Sequence, residues 1–139
     1  MNANTPRRLL RKIAAIVFLA CATPALAQAP APPAPAEAVP PYEPQLMRLA
    51  EIMGALTFLR DLCGARDGQS WQARMNALLE AENPSDTRRE RLAGAFNRGF
   101  RGYEVTYRSC TPNAEAVVER FLDEGARLTR DITSRYSGG

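Results

Sequence analysis

The stretch Leu92–Cys110, LAGAFNRGFRGYEVTYRSC, constrains the fold most: it has helical periodicity and three internal glycines. Leu92, Phe96, Gly99, Tyr103, Tyr107 and Cys110 recur at steps of three and four, so they share one helical face. Ala95, Gly99, Gly102 and Thr106 form a neighbouring stripe of small residues. Glycine inside a helix costs about 1 kcal/mol relative to alanine. Gly94, Gly99 and Gly102 therefore require a compensating reason. Close approach of another helix backbone is one, and a ligand groove between helices is the other.

The opposite side carries Asn97, Arg101, Glu104 and Arg108, with Arg98 beside them. Glu104 and Arg108 stand in the favourable i,i+4 order, worth about 0.3–0.5 kcal/mol in an isolated helix. Such a face is either solvated or an anion site, since guanidinium groups grip carboxylates and phosphates at two points.

The partner for the small stripe is predicted upstream. A helix over Gln45–Cys63, stopped by Gly64, carries Ala50, Gly54 and Thr57 as a matching stripe. Its apolar residues, Leu49, Ile52, Met53, Leu56, Leu59 and Leu62, spread widely around the axis and predict deep burial. If the two stripes face each other, Cys63 and Cys110 come to the same end. A second helix is predicted over Gln69–Ala81, with Trp71, Met75, Leu78 and Leu79 inward and Pro84 beyond its end. Trp71 reads as a core or lid residue. A third starts at Ser85 or Asp86 and runs through to Cys110. Arg88-Arg89-Glu90-Arg91 fills its first turns, against the macrodipole, and reads as a solvated charge run. Thr111-Pro112 is a strong restart for a fourth helix reaching about Arg135, with Tyr136–Gly139 fraying. The expected fold class is all-α, a small antiparallel four-helix bundle stapled by one disulfide.

The beginning of the chain reads as an address. Arg7, Arg8, Arg11 and Lys12 precede an apolar run from Ile13 to Ala22, too short to span a bilayer. Ala25-Leu26-Ala27 offers the small residues of a signal-peptidase site, with cleavage after Ala27. Pro6 and Arg11 fit a twin-arginine signal poorly, and Phe18-Leu19-Ala20 fits lipoprotein anchoring at Cys21 poorly. Residues 28–44 hold seven prolines and form a Pro/Ala-rich linker, leaving 45–139 as the helical domain. The net charge of +3 belongs to the leader. From Gln28 onward fourteen arginines face fifteen acidic residues, which removes the electrostatic case for nucleic acid. Two cysteines remain in that part, in an oxidising compartment, so one intramolecular bridge is possible, Cys63–Cys110. A redox-active pair is the alternative, but no Cys-x-x-Cys spacing is present.

The chain contains no histidine, which removes the commonest general base and transition-metal ligand. It also lacks a phosphate loop, a nucleophile elbow and a haem motif. No cofactor, metal site or catalytic residue is expected, and the chain reads as a non-enzyme. Paired carboxylates, drawn from Glu51, Asp61, Glu80, Glu82, Glu104 and Glu119, leave hydrolysis formally open.

Leu59-Arg60-Asp61-Leu62-Cys63, then Trp71, Met75 and Leu78-Leu79, then Phe96-Asn97-Arg98-Gly99-Phe100-Arg101 and Tyr107-x-x-Cys110 carry a resemblance. Over about Leu46–Tyr136 the chain resembles a small family of secreted alphaproteobacterial proteins of unknown function, marked by two well-separated cysteines. The resemblance implies an uncharacterised exported protein with the cysteine pair on Cys63 and Cys110. It supplies no activity.

The leading expectation is a periplasmic or secreted binding module for an envelope protein or anionic envelope component. Its partner-binding face would be Asn97, Arg98, Arg101 and Arg108. The second expectation is a small-molecule or lipid carrier with an interhelical groove at Trp71, Gly99, Gly102, Tyr103 and Tyr107. The third is an envelope hydrolase with paired carboxylates.

Overall fold

A computed structural model describes residues 38–136. The leader assigned to residues 1–27 and most of the linker lie outside the described residues. Four helices follow: α1 (Glu43–Leu62), α2 (Gly68–Glu82), α3 (Asp86–Thr106) and α4 (Pro112–Tyr136), with no strand among the described residues. The all-α antiparallel arrangement with one disulfide is thus present.

The organising helix is α1, not the Leu92–Cys110 stretch. α2, α3 and α4 each pack against α1, and nine of its residues are buried. The physical reason is its near-uniform apolar surface, which one neighbour cannot cover. α1 feeds two core clusters. Leu46, Ala50 and Met53 join Met75, Leu79, Leu92 and Phe96; Ile52, Leu56 and Leu59 join Ala114, Val117 and Phe121.

Three contacts fix α3 parallel to α1. Arg88 meets Glu43 at one end, Gly54 lies against Phe96 and Phe100 in the middle, and Cys63 bonds Cys110 at the other end. α2 and α4 run the opposite way. The Gly68 amide donates to Asp61 Oδ1 at 2.8 Å, Arg48 near the start of α1 meets Glu124 halfway along α4, and Tyr42 before α1 meets Tyr136 at the end of α4.

The glycine stripes are partly as expected. A Cβ on Gly54 would overlap the Phe96 carbonyl, with Phe100 N at 3.0 Å. A Cβ on Gly99 would overlap the Glu51 carbonyl, with Ala55 N at 3.0 Å. These two positions let the backbones of α1 and α3 touch. Gly102 has nothing within 4 Å of a Cβ and plays no part in the crossing.

Local signals explain the ends. α1 closes on a Schellman motif: Gly64 adopts φ 83°, its amide donates to the Asp61 carbonyl, and the Ala65 amide donates to that of Arg60. α1 begins at Glu43, two residues before the expected Gln45, because Pro44 is tolerated in a first turn. Ser85 and Thr111 accept from the Arg88 and Ala114 amides at 3.4 and 3.2 Å, the N-caps expected of them. α3 ends at Thr106 rather than Cys110, and Tyr107 is extended (φ −112°, ψ 127°). The chain leaves the helix there because Cys110 must reach Cys63 while Thr111 restarts the next helix. Tyr136 is still helical, its ring 5.0 Å from that of Tyr42.

Candidate functional site

The Cys63–Cys110 bond joins the C-cap of α1 to the connection between α3 and α4, with Cα atoms 4.9 Å apart. Beside it lies a shallow hollow of ≈420 Å³ that includes Arg60, Glu115 and Glu119. Arg60 is occupied by Asp67 at 2.7 Å. Its guanidinium, by hydrogen bonding, holds the Asp67 carboxyl below the usual carboxylate range.

At the opposite pole Arg88 is buried, 2% exposed. Its Nε donates to Glu43 Oε2 and one Nη to Glu82 Oε2, both at 2.7 Å. One guanidinium thus ties the start of α1 to the end of α2. Glu43 Oε1 is buried with no hydrogen-bond partner among the described residues. The solvated reading of the arginine run therefore fails at Arg88, whose anionic partners are internal. The sequence contained the signal: Arg88 precedes Leu92, Ala95, Phe96 and Gly99 by four, seven, eight and eleven residues, which places it on their buried face.

A trough of ≈330 Å³ runs between α2 and α4. Leu49, Ile52, Met53 and Leu56 of α1 form its floor; Trp71 and Leu78 stand on the α2 side, Leu122 and Ala126 on the α4 side. A second hollow of ≈220 Å³ shares Leu49, Leu78 and Thr129 with it and extends to Ile132. The deepest floor residues, Ile52 and Leu56, are already covered by their neighbours, each 1% exposed. Arg74 is the trough's charged lining residue, its guanidinium 5.2 Å from the centre of the Trp71 ring.

The expected groove residues do not converge. Trp71 lines the trough. Gly99 is buried in the α1–α3 crossing, and Gly102 is exposed. Tyr103 packs edge-on against Phe121 at 5.5 Å and stacks on Tyr107 at 6.1 Å, while Tyr107 OH accepts from Asn113 at 2.6 Å. Phe121 stands between the two regions, since it also lines the trough. Periodicity gives the face of α3 but not which pair of helices leaves a gap.

Asn97, Arg98 and Arg101 are exposed on α3, and Arg108 is exposed in the connection that follows. No salt bridge involves these arginines among the described residues. The expected Glu104–Arg108 pair is not formed, because the helix ends between them. No helix among the described residues is long and apolar enough to cross a membrane.

Comparison with known proteins gives one family, described as a protein of unknown function (DUF2385), which matches residues 41–136. No curated protein and no solved structure matches the chain.

Proposed function

The chain belongs to the DUF2385 family, and on that footing we propose that it is an exported binding module, not an enzyme, which holds a slender apolar ligand in the trough between α2 and α4. The carrying observation is the trough itself. Its volume falls in the range of small-molecule sites, roughly 300–1,000 Å³, and its lining is mostly apolar. Apolar surface removed from water contributes about 25 cal/mol per Å². The apolar surface open to a ligand lies on the half-buried walls, Leu49, Trp71, Leu78 and Leu122, since Ile52 and Leu56 are already covered. Export is supported by the leader-like start and by a disulfide, which persists in oxidising compartments.

Hydrolysis by paired carboxylates has less support. Glu43 and Glu82 are spent on Arg88. Glu115 and Glu119 are both exposed on one helix, without the differing environments that separate an acid from a base.

Trp71 is the only tryptophan of the chain, so its fluorescence reads the trough directly. Decanol is expected to shift Trp71 emission saturably in the wild type and to lose that effect in Gly125→Leu. A Cβ at Gly125 makes ordinary contacts with Ile52 Cγ2 at 3.6 Å and Leu49 Cδ1 at 3.7 Å, so the longer side chain enters the trough without displacing backbone. An unchanged emission in the wild type overturns the proposal.

A second reading rests on α3. Arg98 and Arg101 are exposed beside an open Gly102 and form no salt bridge among the described residues, a face suited to an acidic partner. Loss of a co-purifying envelope protein in Arg98→Ala/Arg101→Ala, with Trp71 titrations unchanged, would assign partner binding to that face.

A further inference from the structure

The trough has a chemical polarity, and from it we infer the class of its ligand: a single-chain carboxylate, with its head on Arg74 and its alkyl tail along α1 toward Ile132. This inference rests on the trough being a ligand site, as proposed above.

Arg74, exposed on α2, is the charged residue of the trough's lining, and no carboxylate pairs with it among the described residues. Its guanidinium lies over the Trp71 ring, which orients the group without consuming its hydrogen-bond donors. A planar guanidinium with free donors matches a carboxylate at two points. The hydroxyl in the trough's lining is already used, since Thr129 donates to the Gly125 carbonyl at 2.9 Å.

The other end has the opposite character. The continuation toward Ile132 is lined by Leu46, Leu49, Leu78 and Ala81, and its charged residue is Glu82, held by Arg88. A carboxylate head there would face a like charge. Head at Arg74 and tail toward Ile132 is the orientation that satisfies both ends. Along α1 the linings of the two hollows run from Leu56 back to Leu46, about 15 Å of helix axis at 1.5 Å per residue.

The test uses three ligands of equal chain length on the whole mature protein: decanoate, decanol and decyltrimethylammonium, each followed by Trp71 fluorescence. Decanoate is expected to bind about tenfold more tightly than decanol, and the cation more weakly than either. Arg74→Gln should remove the difference, so that decanoate and decanol bind that variant with equal affinity. Gly125→Leu should abolish all three. Equal affinities of decanoate and decanol, or indifference of decanoate to Arg74→Gln, overturn the carboxylate assignment and leave the trough standing. Decanoate binding that survives Gly125→Leu places the anion on another surface and also overturns it. Failure of all three ligands removes the trough reading and this inference together.

Discussion

Gly54 of α1 and Gly99 of α3 lie in one crossing where each helix's backbone fills the space a side chain would take on the other. The obstructing atoms are carbonyls and amides of helices locked at both ends, by Arg88–Glu43 and by Cys63–Cys110. They have no rotamer to escape into. Gly99→Ala should therefore destabilise the domain by about 3 kcal/mol or more, the upper range for overpacking. Gly102→Ala, in open space on the same helix, should stabilise it by about 0.5–1 kcal/mol. Thermal melts of the two variants make the comparison, and similar shifts for both would refute the crossing.

The Arg88 cluster yields a second prediction. Arg88→Met leaves Glu43 and Glu82 without their shared cation, and breaking a buried pair from one side costs about 3–5 kcal/mol. Adding Glu43→Gln to Arg88→Met should recover part of that loss, since one stranded charge is removed. Denaturant unfolding of single and double variants measures the coupling. A double variant no more stable than the single one would show that Glu43 and Arg88 are not energetically coupled.

Acid should weaken the fold through identifiable carboxylates. Arg48 donates two hydrogen bonds to Glu124, at 2.7 and 3.0 Å, which hold its carboxyl below the usual range. Arg60 does the same for Asp67. A lowered folded-state pKa contributes stability above the ordinary carboxylate value of about 4, and that stability is lost as pH falls through the folded pKa. These pairs are partly exposed, so each is worth about 0–1 kcal/mol. Glu124→Gln and Asp67→Asn should each flatten the decline of melting temperature below pH 5. Melts across pH 3–7 check this.

Reduction of the bridge supplies a fourth prediction. It spans a separation of 47 residues, and the chain-entropy account assigns such a loop about 4 kcal/mol. Cys110→Ser should lower stability by that order while far-UV dichroism stays helical, because the α1–α3 crossing and the Arg88 cluster remain. Full unfolding at room temperature would mean that the helices have less independent packing than the two core clusters imply.

Punctuation and periodicity carried much of the fold. Gly64 and Thr111-Pro112 mark ends by local backbone chemistry, so they are legible without neighbours. The matched glycines at 54 and 99 also announced a helix contact, since each is costly unless another backbone replaces the missing side chain. The end of α3 was not legible, because Val105, Thr106 and Tyr107 do not forbid a helix; the tether to Cys63 forces the exit. Arg88 departs from the rule that charge faces solvent, and its spacing to Leu92 and Phe96 is what places it inside. The trough was hidden for a different reason. It is a gap between two helices, and a gap depends on how far apart α2 and α4 settle on α1, which no single segment encodes.

The most direct measurement is methyl NMR of Ile- and Leu-labelled protein titrated with decanol. Ligand in the trough should move the methyls of Leu49, Ile52, Leu78 and Ile132 and leave those of Leu59 and Leu92, which lie outside its lining, in place. Shifts centred on Leu59 and Leu92, or no saturable shifts at all, would contradict the account.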